Sequence, residues 1–259
     1  MCRLAVVLLL SSAVLAGCLP KPREEARDPG DLLRAAVDNT FALKGARVVE
    51  ETSFPSSDRL LSAREARALG TGIWTRVVEF VAPDRVHYTS SSEDGGIEAY
   101  RVGSSMVYRL TDLEEPGDDR GSGWVRVDGL AKVRDEAVRS ELEWLSGVTG
   151  MESILDDGLR EAENVRKVGD EDVERVRCAV LTFESPTWLK RFEANLLEAG
   201  IEAKAVEYEV RAWVTSKGEP LLCKIEDMWV YREPGSDTYE YAISTRRFEP
   251  ASDLRIELP

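Results

Sequence analysis

The chain has 259 residues, 48 Asp plus Glu against 34 Lys plus Arg, and one histidine. A net charge of −14 excludes a nucleic-acid binder, since phosphate affinity comes from clustered Lys and Arg. A single histidine excludes a His-rich metal site, and 43% hydrophobic residues with six Trp describe a globular chain, not a disordered one.

Residues 1–17 read as a secretory signal: Arg3, an apolar run from Leu4 to Leu10, then Ser11-Ser12 and Ala13-Val14-Leu15. The stretch is too short to span a bilayer comfortably. It runs into Leu15-Ala16-Gly17-Cys18, small residues before a cysteine, which resembles the lipobox of bacterial lipoproteins. That resemblance implies cleavage between Gly17 and Cys18 and acylation of the Cys18 thiol. The competing readings are an ordinary signal with an incidental cysteine, or a short core helix. Loss of Arg3 takes the formal charge from −14 to −15, which anionic headgroups repel, so membrane attachment is expected to depend on the lipid anchor. Residues 18–30 follow as acylated cysteine and tether, with three prolines and alternating charges that suit an extended spacer.

A single folded domain is expected over 31–259. Asp31 is placed to cap a helix with Leu32, Leu33, Ala36, Val37, Thr40 and Phe41 on one face, closed by Gly45. Strands are expected at 46–54, 73–82, 85–91, 96–103, 105–111 and 123–128. The charged segment 56–72 reads as a solvated excursion or as a helical flap over a cavity mouth, the former preferred. A second helix is expected near Val133 to Leu145, with Val138, Leu142 and Leu145 inward. Strands at 159–168 and 173–184 flank a turn at Gly169-Asp170-Glu171-Asp172. Ser185-Pro186 opens a third helix carrying Leu189, Phe192, Leu196 and Leu197 and stopping at Gly200.

Beyond it the period becomes two. Val206, Tyr208, Val210, Ala212 and Val214 share a face; Leu221, Cys223, Ile225, Trp229 and Tyr231 share the next, interrupted by Asp227; Tyr239, Tyr241 and Ile243 complete a meander. The fold class is therefore α+β: a curled antiparallel half-barrel of about eleven strands with about three helices over its concave face. Three helices are thin cover for such a sheet. Aromatic side chains or an apolar ligand must fill the rest. Candidate cavity-lining residues are Trp74, Phe80, Tyr88, Tyr108, Trp124, Trp144, Trp188, Phe192, Tyr208 and Trp229, for each of which plain core packing is the simpler reading.

Cys2 leaves with the signal and Cys18 is acylated, which leaves Cys178 and Cys223 in an exported setting. The strand near 206–214 falls between theirs. Second-neighbour strands lie roughly 9.6 Å apart, whereas a disulfide needs Cα atoms within about 7 Å, so two buried thiols are preferred to a disulfide.

Catalytic signatures are missing: there is no G-x-S-x-G, P-loop, H-E-x-x-H or G-x-G-x-x-G. His87, between Val86 and Tyr88, reads as structural. The acidic pairs Glu114-Glu115, Asp118-Asp119 and Asp156-Asp157 and the Asp170-Glu171-Asp172 run lack calcium-loop spacing. No enzyme, cofactor or metal is expected.

The lipobox, the initial helix ending in Ala42-Leu43-Lys44 and the long meanders resemble the LolA/LolB-fold bacterial lipoproteins, most nearly the actinobacterial LppX/LprG-like branch. Three elements carry the resemblance: Arg101-Val102-Gly103-Ser104-Ser105-Met106-Val107-Tyr108 with Gly123-Trp124-Val125-Arg126-Val127; the hairpin from Glu209 to Leu221; and the closing Phe248 to Ile256. The resemblance implies a membrane-anchored envelope lipoprotein, facing the periplasm or outer surface, that binds acylated lipids or lipopeptides in an apolar cavity. An envelope transport partner would go with transfer of that cargo. The alternative is an envelope sensor or protein-interaction lipoprotein with a filled core. No ligand residue of the family maps onto this chain one by one.

Overall fold

The structure, a computed structural model, describes residues 27–69, 73–93, 95–111, 123–155, 157–198 and 200–259. Residues 1–26, on which the expected signal, Cys18 and most of the expected tether fall, lie outside the described residues, as do the acidic pairs at 114–115 and 118–119 and Asp156. The elements in chain order are α1 (Pro29–Phe41), β1 (Gly45–Ser53), β2 (Ser56–Ser57), α2 (Ala63–Leu69), β3 (Trp74–Val81), β4 (Arg85–Ser92), β5 (Gly95–Val102), β6 (Ser105–Thr111) and β7 (Val125–Arg126). They continue with α3 (Glu136–Gly147), α4 (Met151–Ile154), β8 (Glu163–Val173), β9 (Val176–Glu184), α5 (Pro186–Glu198), β10 (Lys204–Thr215), β11 (Leu222–Arg232) and β12 (Tyr239–Pro250).

All pairings are antiparallel, in the order β7-β6-β5-β4-β3-β1-β12-β11-β10-β9-β8, with β2 on β12. This is the expected α+β open half-barrel. Two meanders, one from each half of the chain, are zipped at a seam where the first strand pairs with the last from Ala46↔Pro250 to Ser53↔Ile243. Short hairpins set the antiparallel sense at β3–β4, β4–β5, β5–β6, β8–β9 and β10–β11, while β1–β3 and β9–β10 pair antiparallel across longer connections that carry α2 and α5.

The helices α1, α3 and α5 share the concave face. In α1 the buried residues are Leu33, Ala36, Val37 and Thr40, the one-sided spacing of an amphipathic helix. Its cap is Asp28, whose carboxylate accepts from Gly30 N at 2.9 Å and Asp31 N at 3.3 Å, with Pro29 in the first turn. Asp31, expected as the cap, instead lies within the first turn. At the other end Asn39 donates to Pro220 O (2.9 Å) and Thr40 Oγ1 accepts from Leu222 N (3.0 Å), tying α1 to the β10–β11 turn. The α3 helix is capped by Asp135 and buries Val138, Leu142 and Leu145 as expected, packing on β5. In α5, Ser185 Oγ accepts from Trp188 N (3.3 Å) and donates to Gly158 O (3.0 Å). Trp188 and Leu196 are buried there, while Leu197, expected inward, is 69% exposed.

Three further expectations change. The 56–72 segment, over its described residues 56–69, is neither a solvated excursion nor a flap over the cavity mouth. Its Leu61, Ala63 and Ala66 are buried against Met228, Val230, Tyr241 and Ile243, on the convex back of the sheet. Tyr241 holds it there: its hydroxyl accepts from Leu61 N at 2.7 Å and donates to Arg59 O at 3.3 Å. The β8–β9 turn falls at Glu174-Arg175, both with positive φ (48° and 74°), rather than at Gly169-Asp172. Positive φ at both central positions is what a tight hairpin turn requires, and here it is met without glycine. A bulge opposite Val214 lets Leu222 pair there and turns Cys223 to the back, beside Cys178, Val180 and Trp213.

Candidate functional site

Residues in register across antiparallel strands project from the same face. On the concave face, Phe248, Val48, Val78, Tyr88 and Ala99 form one apolar row across β12, β1, β3, β4 and β5. The next row is Ile225, Arg246, Glu50, Arg76, Ser90 and Ile97, and the one after it includes Asp227, Ser244, Thr52 and Trp74. Two steps along β12, β1 and β3, the inward face thus changes from hydrocarbon to charge. The change falls at the seam, between the α3 side and the α5 side of the sheet.

The charges are chained. Glu50 lies 3.5 Å from Arg76 Nη1 and 3.6 Å from Arg246 Nε, and accepts from Ser244 Oγ at 3.1 Å. Arg246 also pairs with Asp227, which accepts from Trp229 Nε1 at 2.9 Å. Arg76 reaches Glu141 of α3 at 3.7 Å, and Glu141 accepts from Tyr88 Oη at 2.5 Å. These charged side chains are only 7–26% exposed. Buried charges persist only when paired, and here three carboxylates face two arginines with hydroxyl and indole donors completing the set. Burial raises the Tyr88 phenol well above its ordinary value, with the Glu141 hydrogen bond and charge adding to it against the lowering by Arg76. Tyr88 therefore stays a donor at any physiological pH.

Aromatic walls flank this floor. On the α3 side Arg76 lies over Trp74 (4.3 Å) and Trp144 (4.9 Å), Tyr88 and Trp144 meet at 5.5 Å, and Trp74 Nε1 donates to Ser90 Oγ (2.7 Å). On the α5 side Trp229 is stacked between Tyr208 (5.1 Å) and Phe192 (4.7 Å), and Arg246 lies over Trp188 (5.2 Å). A cleft of about 200 Å³ opens here among Trp188, Arg191, Phe192, Asn195, Asp227, Trp229 and Arg246. On the other side of α5, a larger cleft of about 630 Å³ runs between Leu197, Ile201, Ala203 and Pro234, edged by Glu193, Glu202 and Glu233.

Seven of the ten sequence-picked aromatics flank the charged row, the slot between α3 and α5, in two groups: Trp74, Tyr88 and Trp144 on the α3 side, and Trp188, Phe192, Tyr208 and Trp229 on the α5 side. Phe80, 1% exposed, is packed into the core, and Tyr108 lies partly buried against it. Trp124 stands on the opposite face, edge-on to Tyr100 (5.3 Å) and under Arg109 (4.9 Å). His87 is on that back face too, between Glu79 (2.8 Å) and Glu98 (3.0 Å) and stacked on Tyr100. The residues that sequence reasoning missed are Glu50, Arg76, Glu141 and Arg246. For three of them the signal was a charge at an inward position of an alternating strand, as at Val48-x-Glu50-x-Thr52. Among the described residues no three His, Cys, Asp or Glu side chains gather as a metal-ligand set, and no helix is long and apolar enough to cross a membrane.

No protein-family model matches the chain, and no curated protein matches it. Among solved structures it is similar to the lipoprotein LppX of Mycobacterium tuberculosis, with 14% identity over 88% of this chain and 98% of that one and a TM-score of 0.48. It is also similar to LprF of Mycobacterium bovis, with 9% identity, 90% and 98% coverage and a TM-score of 0.46. A putative outer membrane lipoprotein-sorting protein domain from Vibrio parahaemolyticus matches with 9% identity, 87% and 93% coverage and a TM-score of 0.26. Structures of the kinds that the short sequence motifs resemble are thus among those the chain is similar to. The functional reading rests on the chain's own residues.

Proposed function

We propose that this chain is an exported envelope lipoprotein, anchored through Cys18 and facing the periplasm or outer surface, that binds an amphiphilic lipid or lipopeptide in the slot between α3 and α5. The observation that carries the reading is the two-part chemistry of the slot: a charged, hydrogen-bonding floor bounded by aromatic walls that lead onto hydrocarbon rows. A polar headgroup would lie against Arg76, Glu50, Arg246 and Asp227, and the apolar part would part the aromatic stacks. The residues there bind and orient; no nucleophile is paired with a base, and no catalysis is assigned. An envelope transport protein that delivers or receives the cargo is the partner this implies.

A second reading, a filled-core sensor or interaction lipoprotein, is favoured by two observations. The aromatics already stack on one another, and the cleft of about 200 Å³ is below the ~300 Å³ at which small-molecule sites begin.

Native mass spectrometry of the protein beginning after Cys18, followed by organic extraction, separates the two. A co-purified lipid released on denaturation, lost in Trp229→Ala or Arg76→Met variants, supports the carrier and names its ligand class. A clean apo mass, unchanged after incubation with envelope lipids, would move the assignment to the interaction protein.

A further inference from the structure

We infer that Cys178 and Cys223 form an intramolecular disulfide in the exported protein, clasping the edge hairpin β8–β9 to β11 across the end of β10. The inference rests on the export reading above. Their Sγ atoms are 3.0 Å apart, although β9 and β11 are second-neighbour strands with β10 between them. The separation of roughly 9.6 Å expected for such strands applies to their backbones. Two local features bring the sulfurs together here. Strand β10 ends at Thr215, the residue paired with Cys178, and Thr215 Oγ1 turns into the following loop, donating to Glu219 O (2.9 Å) and accepting from Leu221 N (3.0 Å). On the other side, the bulge at Leu222 leaves Cys223 without a partner in the ladder and aims it along the back face toward Cys178.

Both sulfurs are thiols in the structure, Cys178 buried and Cys223 half-buried. Cys223 also lines a cleft of about 310 Å³ bounded by Val173, Val176, Leu221 and Phe248. The oxidant is a low-molecular-weight disulfide such as oxidised glutathione. One cysteine thiolate attacks it, forming a mixed disulfide and releasing one thiol. The second thiolate then attacks the mixed disulfide, closing the Cys178–Cys223 bond and releasing the second thiol. The protein loses two protons and two electrons, and the oxidant leaves as two thiols. Burial raises both thiols above their ordinary values, Cys223 to about 12, where the contact with Cys178 adds to the effect. Thiolate is therefore scarce in the folded chain, and closure belongs to oxidative folding, while the hairpins assemble. The 45-residue separation encloses α5 and β10, the elements that carry Trp188, Phe192 and Tyr208.

The test uses the full-length protein, produced with its own signal in a bacterial host and extracted in detergent with an alkylating agent present. A second sample is reduced, unfolded and refolded in glutathione buffer. The expected result is a single cross-linked Cys178–Cys223 peptide pair in both samples, and a Tm that falls by roughly 10 °C when the protein is reduced. Alkylation of both cysteines in a chain whose Cys18 carries its acyl groups would overturn the inference. Glutathione adducts without the cross-link in the refolded sample would overturn it equally. If Cys18 is instead unacylated and the signal retained, the export reading fails, and the refolded sample alone decides the pairing.

Discussion

Trp229 joins the floor of the slot to its α5 wall, and replacing it separates the packing contribution from the polar one. The indole is 6% exposed, stacked at 5.1 Å on Tyr208 and 4.7 Å on Phe192, and donates to Asp227 at 2.9 Å. Trp229→Ala removes both stacks and leaves a cavity under α5, a change that costs about 4 kcal/mol in a packed core. Trp229→Phe keeps a ring between the two neighbours and loses the hydrogen bond. Asp227 retains Arg246, so that loss comes to about 1–2 kcal/mol. Urea unfolding followed by far-ultraviolet circular dichroism measures both, with an unchanged denaturant slope confirming that the native fold is kept. For a chain of this size the Ala variant should melt roughly 12 °C lower and the Phe variant about 4 °C lower. An Ala variant within about 1 kcal/mol of the parent, or a Phe variant as costly as Ala, would refute the stacked, hydrogen-bonded arrangement.

Two other changes probe the back of the sheet. Tyr241→Phe leaves the buried Leu61 N–H without its acceptor and should cost about 1–3 kcal/mol by urea unfolding, with faster proteolysis in 56–69; an unaltered stability and cleavage pattern would show that Tyr241 does not hold the segment. Glu98, on which Arg109 (2.7 Å) and His87 (3.0 Å) converge, has burial raising its pKa but those hydrogen bonds and charges outweighing it, so the net shift is downward. A folded pKa below the unfolded one gives stability that is complete above the unfolded carboxylate value of about 4.3 and is lost as pH falls through the folded value. The parent should exceed Glu98→Gln by about 1–2 kcal/mol at pH 6, the gap closing toward pH 3, and a gap that does not change with pH would contradict the assignment.

Much of the architecture was legible because period-two alternation is strong in long strands: β1, β3, β4, β5, β6, β10 and the inward face of α3 lie where the pattern puts them. The failures have local causes. At Glu174-Arg175 two non-glycine residues adopt positive φ, so Gly169 drew the turn away from its place. The bulge opposite Val214 shifts the phase of β11, which alternation alone does not reveal, and with it the orientation of Cys223. The 56–69 segment is rich in charge, yet Leu61, Ala63 and Ala66 pack it on the back, where the Tyr241 hydroxyl and an Arg67–Glu226 ion pair (2.7 Å) also hold it. Of the slot, the walls were visible as aromatics. Its floor was hidden because Glu50, Arg76 and Arg246 come from distant strands, and only the register shows that they form one row.

That row has a consequence for when the site comes into being. Glu50 belongs to the first strand and Ser244 and Arg246 to the last, 194 residues separating Glu50 from Ser244. Each half of the sheet can propagate through neighbouring hairpins, but the floor waits for the two chain ends to meet, the contact with the largest loop to close. A chain emerging from its N-terminus carries Glu50 and Arg76 long before Arg246 exists to join them. A product truncated before β12 would keep most of its strands, with Glu50 and Arg76 among them, but would lack the Arg246 and Ser244 that complete the charged row.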